Sequence, residues 1–394
     1  MVRTGLENLL TQKSLQESLK GNIALLCHAA SIDSEYTLSA VHFKNLFKDR
    51  FIKLFGPQHG FVTDVQDNMI ETEDYIHPYF QIPVYSLYSK VRWPTEKMLE
   101  NVDTFVIDLQ DIGSRVYTYI WTVSYIIEKC ENQDIEVVIL DRPNPLDGVT
   151  LEGTILDKEY SSFVGRDEIL HRHGLTMGEF AHWYKKKHNL NTKLRVIEMT
   201  GWKRDQYFHE TGLPWVNPSP NIPLVESAYV FPATVMLEGT NLSEGRGITR
   251  PLEVIGHPSI EPFSFLEEIN KLDELKDLKG FNLRPLNFYP MFQKHKESPV
   301  GGFHIQITNL KEFRPWGLGQ LLIREFRNKL GSDFKWKTDA YEYEFDKLAI
   351  DLINGHSNLR EMIESNASLD QFIQLEKKST QNWKQSSFDS RLYT

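Results

Sequence analysis

In the stretch VDTFVIDLQDIGSRVYTY, Val102–Tyr119, a short and nearly unbroken apolar run stops at Asp108, turns near Gly113 and continues into Arg115, Tyr117 and Tyr119. An apolar run of this length without alternation is the pattern of a strand covered on both faces. Arg115 and Tyr119 are four apart and would share one face of a following helix, expected from Ser114 to Cys130. The same grammar repeats on either side. Upstream, GNIALLCHAA (21–30) and FIKLFG (51–56) read as strands separated by a helix over Leu38–Lys48. IPVYSLY (82–88) is another strand, followed by a proline-started helix at PTEKMLENV (94–102). Downstream, EVVILD (136–141) is a buried strand. LTMGEFAHWYKKKHNL (175–190) then reads as helix and LRVIEMTGW (194–202) as strand. Strands of about five residues alternating with helices imply a parallel sheet with helices on both faces, an α/β fold.

Gly212–Pro223 holds four prolines in twelve residues, so it forms no regular element and reads as a rigid connector. Beyond it the texture changes. FHIQITNL (303–310) resembles a strand, GLGQLLIREFRNKL (317–330) a helix, and YEYEFDKLAIDLING (341–355) a strand–helix remnant. The chain of 394 residues exceeds the usual size of one core, so two domains are expected. Residues 1–225 would form the parallel-sheet domain and 226–394 a smaller mixed α/β domain. The tail from Lys377 on is polar and expected to fray.

A net charge of −10 disfavours nucleic acid, whose backbone needs a basic face. No apolar run approaches the length of a membrane span. Two cysteines, Cys27 and Cys130, lie in apolar stretches and read as buried thiols. The start is amphipathic and lacks the apolar stretch of a secretion signal, so the chain as written reads as cytoplasmic. With a leader removed it would read as periplasmic or secreted. Dinucleotide, Walker A, zinc-protease and serine-hydrolase motifs are all missing from the sequence, and no cofactor is expected.

Chemistry in open α/β sheets gathers at the carboxyl ends of strands. Four polar clusters stand where apolar runs end: LFGPQHG (54–60) with Gln58 and His59; Asp108, Asp111, Arg115 and Tyr117; VVILDRPNP (137–145) with Asp141, Arg142 and Asn144; and LEGTNLSEGRGITRP (237–251) with Glu238, Asn241, Glu244, Arg246 and Arg250. The last is the densest, and its glycines would let backbone approach a ligand closely. Arg115, Tyr117 and Tyr119 could line a pocket for an anionic, ring-bearing ligand, since a guanidinium pairs bidentately with a carboxylate. Each cluster also has a plainer reading. Asp111 could cap the helix, Asp141–Pro145 could be a structural turn, and the glycine-rich stretch could be a solvated loop. His171, Arg172 and His173 could hold a metal, but no carboxylate at a telling spacing accompanies them.

Taken together, P-x-H-G at Pro57–Gly60, IPVYSLYS (82–89), DLQDIGSRVYTY (108–119), LDRPNP, RHGLT (172–176), GLPWVNPSPN (212–221) and LEGTNLSEGRGITRP resemble, in order and over nearly the whole chain, the exo-β-N-acetylmuramidases of the NamZ type. The resemblance implies a Rossmann-like N-terminal domain, a smaller C-terminal domain and an active site in the cleft between them. It also implies release of N-acetylmuramic acid from the non-reducing end of peptidoglycan fragments, so the expected partner is a muramyl glycan. The lactyl carboxylate of that sugar would pair with Arg115, Arg142, Arg246 or Arg250. One departure matters. The family motif is P-E-H-G, its glutamate being the favoured acid, whereas this chain has Gln58. An amide cannot serve as general acid. Glu71 or Glu238 is the expected acid, with Asp67 also nearby. Glu244 is expected as the second carboxylate, with His59 and Asn221 orienting hydroxyls. Two alternatives stand beside this reading. One is a silent muramyl-sugar-binding protein, suggested by Gln58. The other is a metal-assisted hydrolase using His59, Asp108, Asp111 and Asp141.

Overall fold

The computed structural model describes residues 1–66 and 69–394; Asp67 lies outside the described residues. Seven strands form the main sheet: β1 (Ile23–Cys27), β2 (Phe51–Gly56), β3 (Tyr75–Ile76), β4 (Pro83–Ser86), β5 (Thr104–Asp108), β6 (Glu136–Leu140) and, after an intervening hairpin, β9 (Lys193–Ile197). Their order is β3-β4-β2-β1-β5-β6-β9, and every pairing but β3 with β4 is parallel. One register row runs Val84, Leu54, Leu25, Val106, Val138, all buried. Leu25, Leu54 and Val106 belong to the core on one face of the sheet. Leu26, Phe55, Phe105 and Ile107 belong to the core on the other. Coverage on both faces is why these strands show no alternation.

The helix expected from Ser114 begins at Tyr119 and ends at Lys129. The residues before it are taken by another partner. The amide of Arg115 donates to the carbonyl of His171, and Ser114 bridges Arg172. Arg172 ends β8 (Leu170–Arg172), which pairs antiparallel with β7 (Glu152–Ile155), a hairpin outside the main sheet.

The Pro-rich connector has no helix or strand, as expected. After it comes the helix Val225–Thr234, then a short 3-10 turn, Val235–Gly239. LEGTNLSEGRGITRP therefore follows a helix, and the expectation of a strand end there is corrected. Every residue from Ser227 to Thr234 is buried. A helix covered all round has no polar face to reveal its period.

The second half contains an antiparallel sheet of β10 (Val254–His257), β11 (Phe281–Phe288) and β12 (Val300–Ile307), in the order β10-β12-β11, with the helix Pro315–Leu330 packed on the helix Val225–Thr234. In the 341–355 stretch there is no strand among the described residues. Tyr341 bridges Glu344 in a tight turn, and a helix spans Ala349–Asn354.

The frayed tail is also corrected. The last helix, Leu369–Ser387, packs on β7, and Trp383 is fully buried with its indole N–H on the carbonyl of His173 at 2.8 Å. The Tyr393 hydroxyl donates to Asp141 at 2.7 Å. The segment is polar in bulk, but a few aromatics are enough to dock it. Among the described residues no helix is long and apolar enough to cross a membrane.

Candidate active site

The loop after β2 carries Gln58 and His59 to the carboxyl edge of the sheet, and the turn after β5 carries Tyr117 and Thr118. The connector is then tied to that edge. Its Pro218 carbonyl accepts from the Tyr119 hydroxyl at 2.5 Å and from Nδ1 of His28 at 3.2 Å. Nε2 of His28 accepts the amide N–H of Gln110, so one neutral tautomer satisfies both contacts. Burial holds that ring neutral, its pKa lowered to about 3. Ser219 and Asn221 are thereby fixed opposite Gln58. The 3-10 turn brings Glu238, the following loop brings Arg246, and the Tyr341–Glu344 turn brings Tyr341 and Glu342. These side chains line one chamber between the two halves of the chain.

Within it the charges are ordered. Glu238 accepts from Arg246 Nη2 at 2.5 Å and from the Tyr341 hydroxyl at 2.7 Å. Burial alone would raise its pKa. The Arg246 charge and the two hydrogen bonds outweigh burial and hold the carboxyl below its ordinary value. Arg246 is backed by Glu244 at 3.3 Å, and Glu244 by Lys294 at 2.8 Å.

Glu342 is the opposite case. It is 4 % exposed and, among the described residues, has no cation within salt-bridge reach. Its oxygens take the Tyr88 hydroxyl at 2.7 Å and the Gln58 amide at 3.3 Å. Burial, with the nearby Glu238 charge adding to it, raises its pKa to about 6. Glu342 and Tyr343 are both left-handed, at φ 47° and 67°. Such strain in non-glycine residues costs on the order of 1–3 kcal/mol each and collects at functional sites. Gln58 is oriented by the Thr118 hydroxyl, which donates to its Oε1 at 2.6 Å, leaving its NH2 toward Glu342.

His59 sits at φ 72° with Nδ1 donating to the Val65 carbonyl at 2.7 Å. Burial lowers its pKa to about 4, so at neutral pH Nε2 presents a lone pair. The Gln66 carbonyl reaches into the chamber, accepting from Asn221 at 2.8 Å and Arg246 at 3.5 Å. About 40 Å³ of free volume remains, room for a water or two. A ligand entering the chamber would have to take both donors over from Gln66. A second, open cavity of about 610 Å³ shares Glu342 with the chamber and holds Glu71, Lys90, Arg92, Trp93, Tyr125, Arg166 and Tyr343.

Of the residues singled out from sequence, Gln58, His59, Tyr117, Asn221, Glu238 and Arg246 meet in the chamber, with Glu244 behind them. The others lie elsewhere. Arg115 is fully buried and donates to the carbonyls of Thr154, Ile169 and Ile353, so it ties the two halves together, and among the described residues no carboxylate pairs with it. Arg142 forks onto Asp108 at 2.6 and 3.0 Å. Asp141 holds the start of the helix Met177–Lys187 through Thr176 and the Gly178 amide. Asn144 shapes its own turn through Leu146 N–H and the Leu175 carbonyl. Asn241 bonds the backbone of Asp333 and Lys335. Arg250 is half-exposed, pairs with Glu253 and lines a different cavity. Glu71 is 42 % exposed at the outer cavity. Gly245 and Gly247 are left-handed, and a Cβ at 247 would meet the Phe292 carbonyl at 2.6 Å. That glycine allows close packing of the protein on itself, a role the ligand-approach reading did not anticipate. Among the described residues there is no group of three His, Cys, Asp or Glu side chains that could hold a metal ion.

Two family models match the chain: exo-beta-N-acetylmuramidase NamZ, N-terminal, over residues 23–226, and its C-terminal counterpart over 229–393. The chain is 39% identical over 386 residues to the peptidoglycan beta-N-acetylmuramidase NamZ of Bacillus subtilis (strain 168), covering 97% of this chain and 89% of that protein. Two crystal structures of DUF1343 family proteins from Bacteroides fragilis NCTC 9343 share the fold. One has a TM-score of 0.87 at 27% identity and the other 0.74 at 24%, each match covering 100% of this chain and 99% of the other.

Proposed function

This chain belongs to the exo-β-N-acetylmuramidase NamZ family, and from that premise we propose that it is a glycosidase releasing N-acetylmuramic acid from the non-reducing end of peptidoglycan fragments. The observation that supports this most is a pair of buried carboxyls in one chamber with opposite proton affinities. Glu238 is held ionised and Glu342 is pushed toward its neutral form. Glycoside hydrolysis uses such a pair. Glu342 donates its proton to the glycosidic oxygen as the bond to the leaving sugar breaks, and water then adds to the anomeric carbon and returns a proton to Glu342. Glu238 supplies the negative charge that the oxocarbenium-like state needs at the anomeric carbon. The acid missing at position 58 is thus replaced by its hydrogen-bonded neighbour, and Gln58 becomes the residue that orients it. His59 Nε2 and the Asn221 amide orient sugar hydroxyls once Gln66 is displaced.

The test is incubation with β-1,4-linked N-acetylmuramyl-N-acetylglucosamine and chromatography of the products. Equimolar N-acetylmuramic acid and N-acetylglucosamine are expected. Tight binding of the disaccharide with no product would favour the silent sugar-binding reading instead.

A further inference from the structure

An enzyme that removes muramyl sugars must tell them from glucosaminyl sugars, and the difference is one lactyl carboxylate. None of the four arginines named for it from sequence offers an unengaged fork. Arg115 and Arg142 are buried on protein acceptors, Arg246 is held between Glu238 and Glu244, and Arg250 faces another cavity. The outer cavity holds three cations. Arg166 lies on the Tyr125 ring at 3.6 Å and forks onto Glu128 at 3.1 and 3.3 Å, and Lys90 is exposed on a flexible stem.

Arg92 differs from both. Its guanidinium lies 4.0 Å from the Tyr88 ring centre and 4.7 Å from that of Tyr343, and it is pinned by the Ser89 carbonyl. Tyr88 is the residue that bonds Glu342, and Tyr343 follows Glu342 in the chain. The side chain is only 13 % exposed, yet its sole carboxylate partner among the described residues is Glu71, at 3.6 Å and 42 % exposed. A contact that long to a solvated carboxylate contributes little and is readily exchanged. A guanidinium held by aromatic faces has already lost its rotamer freedom, so it is preorganised for a carboxylate fork.

We infer that Arg92 receives the lactyl carboxylate of the muramyl unit, displacing Glu71, and so sets the preference for muramyl over glucosaminyl sugars; this rests on the reading of the chamber above.

The test compares p-nitrophenyl β-N-acetylmuraminide with the matching β-N-acetylglucosaminide in wild type, Arg92→Met, Arg92→Lys and Glu71→Gln. Arg92→Met is expected to raise KM for the muraminide about 10–100-fold, the size of one charge-assisted pair, with the glucosaminide unchanged. Arg92→Lys keeps the charge without the fork and falls between. Glu71→Gln, which removes the competing carboxylate, lowers the muraminide KM. Equal losses on both substrates, or an intact muramyl preference in Arg92→Met, would overturn the inference. If wild type cleaves neither substrate, the proposed activity fails by itself. Calorimetry with free N-acetylmuramic acid and N-acetylglucosamine then decides on Arg92: a binding preference lost in Arg92→Met supports the inference, and no preference or an unchanged one refutes it.

Discussion

Glu342→Gln is expected to lower kcat/KM for the muramyl disaccharide by about 10²–10⁴-fold, the usual contribution of a general acid. The replacement conserves volume and can still accept from the Tyr88 hydroxyl, giving up only the longer contact from the Gln58 amide. What it removes is a transferable proton. The loss should therefore depend on the leaving group. A nitrophenolate departs without protonation, so the same variant should lose far less on p-nitrophenyl β-N-acetylmuraminide. Steady-state kinetics on both substrates check this. Equal losses would mean that Glu342 holds the chamber together rather than donating a proton.

Arg246→Met should damage both stability and turnover. Glu238 would remain buried with the Tyr341 hydroxyl but without its nearest cation. Breaking a buried pair by removing one partner typically costs about 3–5 kcal/mol. The sign with pH follows from the direction of the shift. In the native chamber the Glu238 pKa is depressed, so its contribution to stability is present above the unfolded value, about 4.3, and lost as pH falls. Removing Arg246 lets burial raise that pKa, and folding at neutral pH then has to take up a proton. The destabilisation should be full at pH 7 and shrink toward pH 4, where the carboxyl is neutral and needs no partner. Denaturant unfolding at the two pH values measures it. Turnover should fall by at least about 10²-fold on both leaving groups, since the ionised carboxylate and not the proton donor is affected. Arg246→Lys, which keeps a charge beside Glu238, should recover part of both losses. A variant whose stability loss is the same at pH 4 and pH 7 would show that Arg246 acts through packing.

The sheet was legible because its signals are local. Five-residue apolar runs such as TFVID and EVVIL have no alternation, and a strand covered on both faces needs none. The site was legible only in part. Gln58, His59, Glu238 and Arg246 stood out through their dense polar settings, and they do meet. Arg115 and Arg142 stood out for the same reason and do not. A guanidinium engaged by three carbonyls and one awaiting an anion look alike in sequence, and only distant contacts separate them. Glu342 does not stand out among the alternating tyrosines and glutamates of YEYEF, which begin a stretch that reads as a strand–helix remnant. Its partner Gln58 is 284 positions away, and no local pattern records that contact. The docked tail was missed for a related reason, since Trp383 and Tyr393 are outnumbered by polar neighbours.

The measurement that bears most directly on Glu342 as proton donor is the pH dependence of kcat/KM for the disaccharide, in wild type and Glu342→Gln. A general acid works while protonated, so wild-type activity should fall on an alkaline limb near pH 6, where burial and the Glu238 charge place Glu342. In Glu342→Gln that limb should vanish from the residual activity, while an acid limb from Glu238 stays. An unchanged limb near pH 6 in the variant would contradict the account, because some other group would then be carrying the proton.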